Sequence, residues 1–150
     1  MDQQILADLK SLHTAAIDAR NGYREALDDA EGKGMTPLFR DMIALHEGHA
    51  AALARELTKA GEKADDSGSF MSAVHRAIMD VRSLFNGLDA GVLPGLIDGE
   101  QRNAAKYDQA LTDARPSQDI ATLLTGQRAA IVEKIAAMQA MQAAAKQSAA

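Results

Sequence analysis

The chain has no cysteine and no tryptophan, and its two tyrosines and three phenylalanines make aromatics only 3% of the sequence. Without cysteine there are no disulfides, no thiolate metal ligands and no thiol nucleophile, and a reducing compartment fits. With so few aromatics, Ala, Leu, Ile and Met supply most of the apolar volume, a palette that suits helix packing and disfavours sheets. Basic residues form no run, and 16 Lys and Arg stand against 21 Asp and Glu. The electrostatic footprint for a phosphate backbone is therefore missing, and nucleic acid is not an expected partner. No apolar stretch approaches membrane-spanning length, and Met1-Asp2-Gln3-Gln4 offers no basic region ahead of an apolar one. The expectation is a cytoplasmic chain without membrane contact. Nucleophile elbows, phosphate-cradling glycine loops and Ser/His/Asp arrangements are also absent, which argues against an enzyme.

What is present reads as helix throughout. At 150 residues and 47% apolar, the chain suffices for one domain, residues 1–150, with a continuous core. Ile5, Leu9, Leu12, Ala16, Ala19, Tyr23, Ala26 and Ala30 recur at steps of four and three, the seam of a first bundle helix from about Asp2 to Ala30. Gly32 and Gly34 break it, and Thr36-Pro37 restarts the chain with a capping hydroxyl and an early proline. The second helix runs to about Lys59 on a seam of Phe39, Met42, His46, His49, Leu53 and Ala60, and ends at Gly61. A third, shorter helix is predicted from about Phe70 to Phe85, as a bundle member or a crossover. The fourth starts at or after Asp89 and carries Leu93, Leu96 or Ile97, Glu100, Asn103 or Ala104, Tyr107 and Leu111, so its seam turns polar at mid-length. After Pro116 the fifth presents Ile120, Leu124, Gln127, Ile131, Ile135, Met138 and Met141, with fraying expected from about Ala143. Two long hairpins joined by a longer connection result.

Gly22-Tyr23-Arg24-Glu25-Ala26, Asp66-Ser67-Gly68-Ser69 followed by His75-Arg76, and Gly99-Glu100 with Tyr107 and Ala110-Leu111 resemble a family of ferritin-like four-helix-bundle proteins common in Proteobacteria, whose function is unknown. The resemblance runs from about Leu6 to about Lys134. It implies an all-α, ferritin-like antiparallel four-helix bundle with an additional shorter crossover helix, and a stress-associated role. It implies no activity, substrate or cofactor.

Carboxylate di-iron bundles place a Glu on each of two helices and a Glu-x-x-His pair on each of the other two. Here Glu100 precedes Tyr107 by seven residues, but the position seven before Tyr23 is Ala16. In the second helix Glu47 is followed three residues on by Ala50, and the fourth and fifth helices offer Asn103 and Gln127. No cofactor is expected, and the ferroxidase ligand set is broken. A smaller set of His46, His49 and Glu100 has the donor types for zinc or iron, provided the second and fourth predicted helices are adjacent. The competing reading is a buried network of His49, Glu100 and Gln127 with the Tyr23 and Tyr107 hydroxyls. His13 and His75 read as boundary or surface histidines. Gly48, inside a helix, costs about 1 kcal/mol relative to Ala, which points to close packing, access or simple tolerance. The preferred function is a non-enzymatic, stress-associated structural or interaction protein with a protein partner or as a homo-oligomer. The Met138 and Met141 stripe with Ile131 and Ile135 reads as core, with packing of its part beyond the neighbouring helix on another subunit as the alternative. Metal or redox binding, and a small apolar ligand held between helices, are the alternatives.

Overall fold

The computed structural model describes residues 2–30, 34–67, 90–113 and 115–148, the side chains of residues 28 and 29 excepted. Among these residues the architecture is all-α, with no strand: α1 (Gln3–Ala30), α2 (Thr36–Lys59), a 3₁₀ turn (Ala90–Val92), α3 (Leu93–Asp113) and α4 (Gln118–Ser148). The helix expected over Phe70–Phe85, and His75 with it, lies outside the described residues. None of the described helices is long and apolar enough to cross a membrane.

The helix ends follow local chemistry. Asp2 opens α1 by accepting the Gln4 amide on its carboxylate at 3.0 Å, and Ser117 opens α4 through its hydroxyl, which accepts the Ile120 amide at 3.4 Å. At the end of α2, Gly61 takes a φ of 81°, and the amides of Gly61 and Glu62 close on the carbonyls of Thr58 and Leu57 at 3.0 and 2.9 Å. This paired reverse bonding needs the left-handed conformation that glycine adopts without strain. The start of α2 departs from expectation. Met35 holds the cap position with no side-chain hydrogen bond. Thr36 is already helical, and its hydroxyl donates back to the Ala30 carbonyl at 3.4 Å, so it fastens the end of α1 and leaves α2 uncapped. Pro94 sits in the first turn of α3, where its missing amide costs no helical bond. The final helix persists to Ser148, past Ala143, through a stretch of Ala, Gln and Lys with strong helix propensity, although nothing beyond Met138 is fully buried.

Backbones approach closely in four pairs: α1 with α2, α3 with α4, α1 with α3 and α2 with α4. The remaining pairs, α1 with α4 and α2 with α3, face each other across the core. Arg24 meets Glu47 at 2.9 Å and Lys10 meets Glu62 at 3.0 Å, so α1 and α2 run antiparallel. Asp41 pairs with Lys134 at 3.8 Å, while the His49 carbonyl meets Gln127 at 3.3 Å, so α2 and α4 are antiparallel as well. Because α3 and α4 form a hairpin, the diagonal helices α2 and α3 point the same way, so the end of α2 and the start of α3 lie toward opposite ends of the bundle.

Most seam residues predicted for α1, α3 and α4 belong to the core, Leu111 and Met141 being only partly buried. Leu9, Tyr23, Leu96 and Leu124 are fully buried, as are Phe39, Met42 and Leu53 of α2. Tyr23 and Phe39 meet edge to face with ring centroids 5.4 Å apart. His13 differs from the boundary or surface position expected for it. It is 2% exposed, and its Nε2 lies 3.4 Å from Asp66. Seam spacing locates a residue around its own helix but gives no account of the segment after α2, which turns back along α1.

Gly48 is exposed, and a Cβ built on it meets nothing within 4 Å. Neither close packing nor access explains it, and tolerance remains. Gly48→Ala is therefore expected to stabilise the fold by about 1 kcal/mol, read from urea unfolding midpoints. An unchanged or lower midpoint would mean that the backbone at this position is not ordinary helix.

Candidate functional site

Glu100 is a fully buried carboxylate halfway along the bundle. An isolated ionised carboxylate in such a place is very costly, so it must be hydrogen-bonded and its charge balanced. Both requirements are met locally. The Tyr23 hydroxyl of α1 donates to Oε2 at 2.8 Å. His46 Nε2 of α2 lies 2.9 Å from Oε2 and 3.1 Å from Oε1. Asn103, one turn further along α3, donates its amide to Oε1 at 3.0 Å. His46 is 2% exposed and nearly parallel to the Tyr23 ring, at 13° and 6.1 Å between centroids.

A second group lies beside the first. The Tyr107 hydroxyl donates to Gln127 Oε1 at 2.8 Å, and Gln127 Nε2 donates to the His49 backbone carbonyl at 3.3 Å. The His49 ring sits edge-on between the two groups, 6.1 Å from His46 and 6.5 Å from Tyr107. Its Nδ1 is buried and has no hydrogen-bond partner among the described residues.

All the predicted site residues thus lie in one layer, but with different partners from those expected. The imidazole that binds Glu100 is His46, whereas His49 is half-buried and enters the hydrogen bonding through its main chain. The set His46, His49 and Glu100 does not require α2 and α3 to be adjacent, since His46 and Glu100 meet across the diagonal. Asn103, an alternative seam position and an absent ligand in the sequence, is a partner of Glu100; its position three residues after Glu100 on one helix face is the signal for that pairing.

The electrostatics follow from this packing. Burial pushes the Glu100 carboxyl up, but His46 and the hydrogen bonds from His46, Asn103 and Tyr23 outweigh it and hold the group below the ordinary glutamate value of 4.5. Burial, followed by the Glu100 charge and the hydrogen bond to it, raises the Tyr23 phenol well above its usual range. Burial and the same carboxylate raise Tyr107. Burial, then the neighbouring His46, lower the His49 imidazole to about 4 against the opposing pull of Glu100.

A dinuclear iron centre does not fit these residues. The residue seven before Tyr23 is Ala16 and not a carboxylate, and both Glu100 oxygens are engaged by protein donors. Among the described residues no three His, Cys, Asp or Glu side chains are grouped so as to hold a metal ion.

Fold and layer together define an all-α bundle with a hydrogen-bonded polar centre. The family described as a domain of unknown function (DUF2383) matches residues 4–113, most of the chain, and the chain belongs to that family. The match ends at Asp113, so α4 and its Gln127 lie beyond it, whereas the resemblance seen in the sequence extended to Lys134. No curated protein and no solved structure matches the chain.

Removing one member of a buried pair strands the other. His46→Leu is expected to cost about 3–5 kcal/mol in urea unfolding. Tyr23→Phe, which deletes one hydrogen bond to a charge, should cost about 1.5–3 kcal/mol. A His46→Leu protein as stable as the parent would show that Glu100 is not ionised in the fold.

Acid should weaken the structure in two stages. The unfolded chain binds a proton at His49 between its ordinary value of 6.5 and about 4 while the folded chain does not, so stability falls as pH drops through that window. Glu100, depressed in the fold, withdraws its contribution as pH falls below 4.5 and through its folded value. The urea midpoint should decline from pH 7 to pH 4, and His49→Gln should flatten that decline. An equally steep decline in the variant would assign it to other groups.

Proposed function

We propose that the chain is a non-enzymatic bundle of ferritin-like architecture, in which a closed hydrogen-bonded layer occupies the level where such bundles carry metal. It acts as a stress-associated structural or interaction protein of the cytoplasm, as a homo-oligomer or with a protein partner. The observation that carries this reading is the state of Glu100: Tyr23, His46 and Asn103 take up both carboxylate oxygens, so that this carboxylate ties the helices together. The parallel, diagonal α2 and α3 support the architecture, because a four-helix bundle with one long crossover has this order of helix directions. The stress association comes from the family resemblance, and the cytoplasmic setting from the composition.

A second reading is favoured by a specific feature, the buried and unpartnered Nδ1 of His49 beside the His46–Glu100 pair. In this reading His46, His49 and Glu100 hold a single zinc or iron, with Tyr23 and Asn103 giving way. The metal would supply Lewis-acid or redox chemistry, and the three side chains would supply two imidazole donors and one carboxylate.

Elemental analysis of protein purified without chelators, together with a ferrous-oxidation assay, separates the two. The proposed function predicts substoichiometric metal and no oxidase activity. Stoichiometric metal that disappears in His49→Ala, with or without oxidation of iron, would replace it with the second reading.

A further inference from the structure

A cavity of about 10 Å³ lies within the polar layer, bordered by all four described helices. His46, Asn103 and Tyr107 form its polar wall, and Leu12, Ala16 and Ile131 its apolar one. Half-buried Ala15 stands at the rim between α1 and α3. The space is too small for a side chain or an organic ligand, but of the order that admits one water-sized molecule. An apolar cavity of this size stays dry, whereas one with several convergent polar groups does not.

The polar wall has hydrogen-bonding capacity left over. His46 engages Glu100 through Nε2, and its other ring nitrogen is not used in that contact. Asn103 engages Glu100 through its amide nitrogen, and its carbonyl oxygen remains an acceptor. Tyr107 donates its hydroxyl proton to Gln127, and the oxygen retains acceptor lone pairs. A molecule that donates two hydrogen bonds, one to the Asn103 carbonyl oxygen and one to the Tyr107 hydroxyl oxygen, complements this set.

Position gives the cavity its significance. His46 and Asn103 belong to the group around Glu100, while Tyr107 belongs to the group with Gln127 and the His49 carbonyl. We infer that the cavity binds a single neutral, water-sized hydrogen-bonding molecule, which bridges the Glu100 group to the Tyr107–Gln127 group and makes the layer continuous across the four helices. The bound molecule gives His46 and Asn103 their link to α4, which makes no direct hydrogen bond to the Glu100 group among the described residues. Small residues at Ala15 and Ala16 leave the space open, so the site is a property of α1 as much as of the polar residues. The inference does not depend on the absence or presence of metal.

The test is a water-selective rotating-frame Overhauser experiment on the full chain, labelled with ¹³C and ¹⁵N. Water cross-peaks are expected at the Ala16 methyl and at the carbon-bound ring protons of His46. They should be lost in Ala16→Val, which fills the space. Should Ala16→Val fail to fold, Ala15→Val narrows the rim from a half-buried position and should weaken the same cross-peaks. Absence of the cross-peaks in the parent protein would overturn the inference, as would their persistence at full strength in a folded Ala16→Val or Ala15→Val protein.

Discussion

The structure depends on keeping one carboxylate ionised in the buried centre of a helical bundle. Glu100 is fully buried among Leu, Ala, Met and aromatic side chains, and its charge is tolerated because Tyr23, His46 and Asn103 reach it at hydrogen-bond distance. These contacts set the register of α1 and α2 against α3. An Ala- and Leu-rich core accepts several rotations and slides of one helix on another at modest cost, because volume and pattern are conserved. A displaced register here would strand a buried charge, which costs more than any repacking of methyl groups. The second group, Tyr107 with Gln127 and the His49 carbonyl, applies the same constraint to α4.

Much of this was legible in the chain. The bounds of α1 and α2 match their seams to within a residue, and the end of α2 at Gly61 follows from glycine's freedom to adopt positive φ. Glu100, Tyr107 and Gln127, the polar residues at mid-seam, are the ones that hydrogen-bond between helices at this level. Which histidine would bind the carboxylate was not legible. His46 and His49 are three residues apart and both near the seam, and only the diagonal placement of α2 and α3 selects His46. That placement depends on how two hairpins dock, a long-range property that periodicity does not encode. Burial of His13 was missed for a related reason, since the segment after α2 that brings Asp66 to it has no periodic pattern. Thr36 was misread because capping was inferred from residue type, while the actual cap position falls one residue earlier.

The chemistry of the layer follows from how its polar atoms are assigned. A carboxylate with free lone pairs beside two imidazoles has the donors of a metal site, whereas one whose oxygens already accept from a phenol, an imidazole and an amide has those lone pairs taken up by the protein. The Glu100 oxygens are engaged in the second way. Burial, then the Glu100 charge, raises the Tyr23 phenol, while burial of Glu100 itself is outweighed by His46 and by the hydrogen bonds from His46, Asn103 and Tyr23, which hold its carboxyl low. The half-buried His49 also has capacity to spare, because its Nδ1 is buried without a partner among the described residues. Any departure from a purely structural role would begin there.

The central claim is that Glu100 is a carboxylate, not a carboxylic acid, inside the fold. The most direct measurement is the ¹³C resonance of its side-chain carboxyl carbon, assigned by comparison with Glu100→Gln and followed from neutral pH downward. A carboxylate shift at neutral pH that persists below the ordinary glutamate value of 4.5 is the predicted result. A carboxylic-acid shift at neutral pH would contradict the account.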